Sequence, residues 1–571
     1  MANQLIHFGK LSLLYEDGFV RYIRAGEIEI LRKIYFALRD SNWATADIVR
    51  TDERISVTPT GFDISYTATN VVESNEVFRW QVKISGNESG EIEFAVDGRA
   101  LAKYNRNRAG ICVLHPIRDT RDKIAKVTRP DGSVYEEKFP TMIKPHQPFM
   151  DIRKMSWQLK GDAWAEIEFE GDVFETEDQR NWSDTSFKTY STPLSIPYPV
   201  MLNPGDRVSQ KVKMKLINSE DLDDPEFAED IEVTIHDGDP KPFPKIGSEF
   251  PGKAASPEDV ELMKPLHFEH IRVELVLSSP DWKSKLTAGV EEANAIEAKV
   301  FAHLIIDEAK EWDDFETYAG KENISGITRI AISPFDRKAN VDVLLQYALP
   351  KARKTFPKVS IGAGFRSYFT ELNRNRFDYS GVDFVIYPLN PQAHASDSLT
   401  IIENLPAEED AVKSASALAP GKKVHVGPVS IKHRFNPDAR PGTPENPEFR
   451  FDPRQQTALT AGWALASIKY LSEGGADTIT LFESHGRAGY FSEGKLFPVY
   501  NAYVSLLKLK PRRVFRSSCN EPLIISSLVV EDDKMKRHLI IINHTSLKKS
   551  VTVGDVLLTL SGSEIQFIAI K

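Results

Sequence analysis

The chain has 571 residues, 41% hydrophobic and 27% charged, with 72 basic against 82 acidic side chains and a formal charge of −10. That length exceeds what one core supports, so two or three domains are expected, and an ordinary globular composition excludes wholesale disorder. Acidic and basic residues are interspersed, with neither a basic stripe for nucleic acid nor a polybasic anchor for a membrane, so the expected partner is a small molecule.

Cys112 and Cys519 lie too far apart in sequence for a disulfide framework or a CxxC metal site and read as free thiols. The first residues, MANQLIHFGKLSLLYEDG, lack the continuous apolar run of a signal peptide, and no stretch of about 18 apolar residues occurs, so a cytoplasmic protein is expected. The oligomeric state is not legible.

From the start to about residue 250, short segments alternate apolar and polar residues: GFDISYTATNVV (61–72), FRWQVKISG (78–86), EIEFAVDG (91–98), AWAEIEFEGDVFE (163–175) and QKVKMKLI (210–217). Alternation closed by Gly, Asn or Asp predicts half-buried strands, and such strands pack as a β-sandwich over 1–250.

The period then changes. Continuous apolar runs follow: IRVELVLS (271–278), VFAHLIID (300–307), GITRIAIS (326–333), VSIGAGF (359–365), VDFVIYPL (382–389), KVHVGPVSI (423–431) and DTITLFES (477–484). Helical stretches separate them, among them AGVEEANAIEAK (288–299), VDVLLQYALPKARKTF (341–356) and QQTALTAGWALASIKYLSEGG (455–475). Strands buried on both faces and alternating with helices predict a (β/α)₈ TIM barrel over 251–512, with an eighth strand not evident. From 513 to 571 the chain reads as strands again, forming a short C-terminal β module packed on the barrel or joined to the sandwich. The fold class is therefore multidomain, β plus α/β.

Counted this way, VSIGAGF is the fourth strand and DTITLFES the seventh. Glu371, in FTELNRNR (369–376), follows the one and Glu483 closes the other. Barrel chemistry occurs at the carboxyl ends of strands, so both glutamates are expected to face one pocket. Retaining glycosidases on this barrel place their acid/base and nucleophile at these strands, about 5 Å apart. One departure is Thr370, where those enzymes carry Asn before the acid/base; Asn373 offers an amide from another direction. A solvated strand end neutralised by Arg374 and Arg376 is the plainer reading of Glu371.

Other polar residues fall at the same end: Asn390, Gln392, His394 and Asp397 after the fifth run, His433 and Arg434 after the sixth, His485 and Arg487 after Glu483. Together they suit a polyhydroxylated or anionic ligand. No HxH or HExxH spacing occurs and no metal or other cofactor is called for, although the placement of His303 and Asp307 is not resolved by parity.

A dense motif in the sandwich half, FETEDQRNWSDTSFKTYSTPL (174–194), is expected to pack structurally at a domain junction. With NRAGICVLHP (107–116), FTELNRNR, NPQAHASD and FESHG, it resembles the D-apionate lactonase family across nearly the whole chain. The resemblance implies a hydrolase opening D-apionolactone to D-apionate in carbohydrate catabolism. A sugar lactone presents a flat carbonyl carbon where a glycosidase barrel stabilises a flat anomeric carbon. For that chemistry Glu483 is expected as base or nucleophile and Glu371 as acid, with His394, His485 or Arg487 donating to the oxyanion. A retaining glycosidase on a small apiose-like or other glycoside and a non-catalytic carbohydrate-binding protein are the alternatives.

Overall fold

Alternation makes two-faced strands, and along Ala163–Glu170 every second side chain is indeed buried. The computed structural model describes residues 4–223, 230–321, 326–437 and 446–570. It divides into two compact units, the first comprising Met1–Gln179, Thr185–Glu229 and Asn436–Pro444. In that unit two nine-stranded antiparallel sheets are centred on Ile28–Asp40 against Tyr104–Pro116 and on Glu91–Ala100 against Arg207–Ile217. Inward side chains of both sheets, including Phe36, Trp80, Phe94, Trp157 and Ile167, share one core, which makes the unit a β-sandwich.

The second unit holds a closed barrel of eight parallel strands. Strands one to eight are Lys245–Glu249, His270–Val276, Lys299–Ile306, Ile327–Pro334, Ser360–Gly364, Phe384–Leu389, Lys423–Val429 and Thr478–Glu483. The sequence reading missed strand one, KIGSE, for a physical reason. It is five residues long and carries Lys, Gly, Ser and Glu, so no apolar run marks it, although four of the five are buried. The expected numbering is therefore corrected by one: VSIGAGF supplies strand five and DTITLFES strand eight.

The segment before the barrel also departs from the expected 1–250 division. Ile231–Ile235 pairs in parallel with Lys549–Val553 and antiparallel with Ser517–Cys519, so it belongs with the C-terminal strands. Their shared core contains Ile231, Val233, Phe515, Val529 and Ile541. Helix Ala458–Gly474 is buried almost throughout because it packs on both the barrel and this module, which explains its apolar character on every face. It ends at Gly475, whose φ of 94° is the left-handed C-cap. Among the described residues no helix is long and apolar enough to cross a membrane.

Strands five and six approach so closely that Gly364 is required. A Cβ there would lie 1.9 Å from the Ile386 carbonyl oxygen, a backbone atom held in the barrel ladder. Gly364→Ala is expected to cost about 3 kcal/mol or more as overpacking, seen as a lowered urea midpoint.

Candidate active site

Parity along a strand puts residues i and i+2 on one face, so His270, Arg272 and Glu274 of strand two point the same way, in rising layers of the barrel interior. Arg272 is fully buried. Its guanidinium donates to Glu249 Oε2 on strand one at 2.5 Å, to Glu274 Oε2 at 3.1 Å and to His303 Nδ1 on strand three. His303 Nε2 lies 2.7 Å from Ser333 Oγ at the end of strand four. Because arginine can only donate, His303 Nδ1 must accept, which places the single imidazole proton on Nε2, donating to Ser333. Burial, and next the charge of Arg272, hold the His303 pKa well below its ordinary value, so the ring stays neutral.

Two further arginines close over Glu274. Arg366, after strand five, donates to its Oε1 at 2.9 Å, and Arg434, after strand seven, donates to its Oε2 at 2.8 Å. Arg434 also stands 3.8 Å from Glu249 Oε1. Burial opposes ionisation, but Arg434, Arg366 and Arg272 together hold the Glu274 carboxyl well below the usual range.

Glu483 ends strand eight in register with Glu249 of strand one. The preceding Phe482 has φ 55°, a left-handed conformation uncommon for a bulky side chain, and is kept there by burial against Trp463 and Tyr490. Arg450 Nη1 reaches Glu483 Oε1 at 3.2 Å. Burial pushes the Glu483 carboxyl above its ordinary range, and the Glu249 charge adds to this against the pull of Arg450 and Arg434. Burial likewise pushes Glu249 up, with Glu274 adding to it. A carboxyl held below its usual range thus stands beside two pushed above theirs.

The sequence-predicted residues separate into groups. Glu483 and Arg434 belong to this network. Glu371 follows strand five on the helix Phe369–Arg374, where its Oε2 accepts from the Tyr368 backbone N–H at 2.8 Å and its Oε1 from Arg337 at 3.4 Å. Asn373 donates to Asn181 Oδ1 at 2.9 Å, and His394 pairs with Asp184 at 2.6 Å. Both partners lie in Arg180–Asp184, the middle of the dense 174–194 motif, and those five residues belong to the second unit. There Arg180, fully buried, bonds Asp410 at 3.0 Å, and Trp182 sits edge-on to Tyr368. Asn390 accepts from the Gln392 backbone N–H, folding its own loop. His485 turns to the buried Glu292 at 3.2 Å, and Arg487, half exposed, pairs with Glu448.

Two family models match the chain in succession: the D-apionate lactonase N-terminal domain over residues 1–219 and the D-apionate lactonase TIM barrel domain over 246–511. The chain belongs to the D-apionate lactonase family. A D-apionate lactonase of Brucella anthropi is 28% identical over 502 residues, covering 84% of this chain and 82% of that relative. Among solved structures, a family 51 arabinofuranosidase from Xanthomonas axonopodis pv. citri superposes with a TM-score of 0.41 at 10% identity, covering 60% of this chain and 95% of its own. A family 44 xyloglucanase from Paenibacillus polymyxa gives 0.36 at 7% identity, with 60% and 97% covered.

For this member of the lactonase family, sequence reasoning missed Glu249, Arg272, Glu274, Ser333, Arg366 and Arg450, and left His303 open. One signal was available. Arg272 and Glu274 alternate with Ile, Val and Leu inside an otherwise apolar strand, and a charged residue at every second position of a barrel strand points inward. Among the described residues no group of three or more His, Cys, Asp and Glu is arranged to hold a metal. The tautomer assigned to His303 is open to measurement: nitrogen-15 spectra should show a neutral ring protonated on Nε2 across about pH 5 to 8, where an ordinary histidine titrates. A ring that titrates in this range, or one protonated on Nδ1, contradicts the arrangement.

Proposed function

We propose that the chain hydrolyses D-apionolactone to D-apionate at the carboxyl mouth of its barrel, with Glu483 as the general base. The observation that carries this reading is the buried Glu483 carboxyl, raised in pKa and set among arginines. Four guanidinium groups, of Arg272, Arg366, Arg434 and Arg450, stand near three carboxylates, of Glu249, Glu274 and Glu483. Such a site accepts a neutral lactone and favours the negative charge that appears on reaction.

In the proposed sequence, ionised Glu483 takes a proton from water as the oxygen bonds to the lactone carbonyl carbon. The carbonyl electron pair moves to oxygen, and arginine N–H groups donate hydrogen bonds to the oxyanion. The tetrahedral intermediate collapses, the ring C–O bond breaks, the ring oxygen takes the proton from Glu483, and the new carboxyl group releases its remaining proton to solvent to give D-apionate. One carboxyl group serves as base and then acid, which suits a pKa moved towards neutrality. The acid role expected of Glu371 then falls away: its oxygens already receive Tyr368 N–H and Arg337, and we give it a positioning role in the strand-five loop.

The glycosidase alternative drew on carboxylates at strands four and seven. Strand four ends in Ser333-Pro334 and strand seven in Pro428-Val429, so that support is withdrawn. The expected cytoplasmic setting agrees with a substrate of monosaccharide size. A panel of sugar lactones and aryl glycosides tests the reaction class. D-Apionolactone turnover without glycoside turnover is expected, and the reverse would defeat the proposal.

Glu483→Gln should lower kcat on D-apionolactone by about 10²–10⁴-fold after subtraction of spontaneous hydrolysis, the usual range for a general base. Glu371→Gln should retain a readily measured fraction, and full activity in Glu483→Gln would remove that residue from the chemistry.

The pH profile tests the same assignment. Activity requires ionised Glu483, so kcat should fall on the acid side with a midpoint above the ordinary glutamate value of about 4.3. Arg450 pulls that pKa down, so Arg450→Met should move the midpoint to higher pH; no movement, or movement to lower pH, would contradict its pairing with Glu483.

A further inference from the structure

Strand eight does not end freely at Glu483. The Ser484 N–H donates to the Glu249 carbonyl at 2.8 Å and the Glu483 N–H to the Ala488 carbonyl at 3.2 Å, so the chain leaves the barrel ladder in a closed loop. Phe482, one residue earlier, already holds a left-handed conformation. A backbone in a sparsely populated conformation persists only where its surroundings over-determine it.

Those surroundings include one buried acid. Glu292 lies on the helix Trp282–Ala295, which packs against strands two and three. One turn before it, Gly289 sits so close to strand two that a Cβ would lie 2.4 Å from Val273 Cγ2, which fixes the helix on the barrel wall. Glu292 is 4% exposed, and its two oxygens reach consecutive residues of the strand-eight loop. Oε1 accepts from Ser484 Oγ at 2.7 Å, and Oε2 meets His485 Nε2 at 3.2 Å. Carboxylate oxygens accept, so His485 Nε2 carries the proton of that contact. Ser484 is fully buried and His485 is 7% exposed, so these bonds form out of water, where losing either donor would leave a carboxylate oxygen unmatched.

We infer that Glu292 is a positioning residue for the hydrolysis: by holding Ser484 and His485 it sets the direction in which Glu483 presents its carboxyl group. The inference rests on the reading of Glu483 as the base. It gives His485 a part in supporting that base through the bond to Glu292. Proton transfer requires Glu483 within hydrogen-bond reach of its water, and a displacement of about 1 Å can cost about 10²-fold in rate.

The test measures kcat and KM on D-apionolactone with the full chain, folding being checked by circular dichroism. Glu292→Leu should lower kcat at least about tenfold and leave KM within about twofold, because it misdirects the base without touching substrate. Glu292→Gln keeps an acceptor for His485 and a polar partner for Ser484, and should stay within about threefold of the wild-type kcat. Groups that act as one unit are non-additive, so in the Glu483→Gln background Glu292→Leu should cost less than about twofold further. If Glu292→Leu fails to fold, Ser484→Ala removes one of the two bonds and carries the comparison, with about a fivefold fall in kcat in wild type and less than about twofold in Glu483→Gln. An unchanged kcat, a loss expressed in KM, a Glu292→Gln variant as impaired as Glu292→Leu, or equal losses in the two backgrounds would each overturn the inference. Full activity in Glu483→Gln alone would defeat the base assignment and this inference with it, whereas a strong loss there with additive effects at Glu292 defeats only the positioning role.

Discussion

The site in the barrel depends on one buried cation. Arg272 is sealed inside the barrel, and a guanidinium removed from water is tolerated only when its donors are received. Glu249, Glu274 and His303 receive them from strands one, two and three, so three neighbouring strands carry polar residues at one level. Replacing any of these by an apolar residue would leave a charge unmatched. The same cation fixes the His303 tautomer and thereby turns the Ser333 hydroxyl from a nucleophile awaiting a base into an acceptor of a hydrogen bond.

Distribution of the remaining positive charge then sets the carboxylates apart. Glu274 draws on three arginines and is held ionised, whereas Glu249 and Glu483, in register on adjacent strands, are pushed towards protonation by burial and by neighbouring negative charge. Pairs of acids driven apart by their surroundings are how one site keeps both an ionised and a protonatable group near neutrality. At the opposite end the barrel is filled or locked: Phe384 stacks on His425, Phe301 meets both rings edge-on, and Glu269 accepts from Arg329 through two N–H groups. Chemistry at the carboxyl end and stability at the amino end is the usual division of this fold.

Much of the site was visible as residue types and little of it as geometry. Glu483 and Arg434 stand out in sequence because they end apolar runs, and both belong to the charged network. Glu371 stands out for the same reason, but its environment differs, since one of its oxygens caps its own short helix. Asn373 and His394, read as lining residues, bond to Asn181 and Asp184, from a motif about 200 residues earlier in the chain, a pairing that local pattern cannot reveal. The strand-one error has the same root. KIGSE is strand by virtue of its neighbours, strands two and eight, and not by any hydrophobic signal of its own.

What the sequence by itself determined is whatever depends on local period and composition: a sandwich half, a barrel half, terminal strands, and the motifs that mark the lactonase family. Alternation and continuous apolar runs are properties of neighbouring residues, so they survive reading in one dimension. The tertiary structure alone decided which strand is first, which face Arg272 and Glu274 occupy, and which carboxyl groups are raised or lowered. Those outcomes depend on barrel closure, because burial and charge act across space, and only closure brings Glu249, Arg272 and Glu483 within reach of one another.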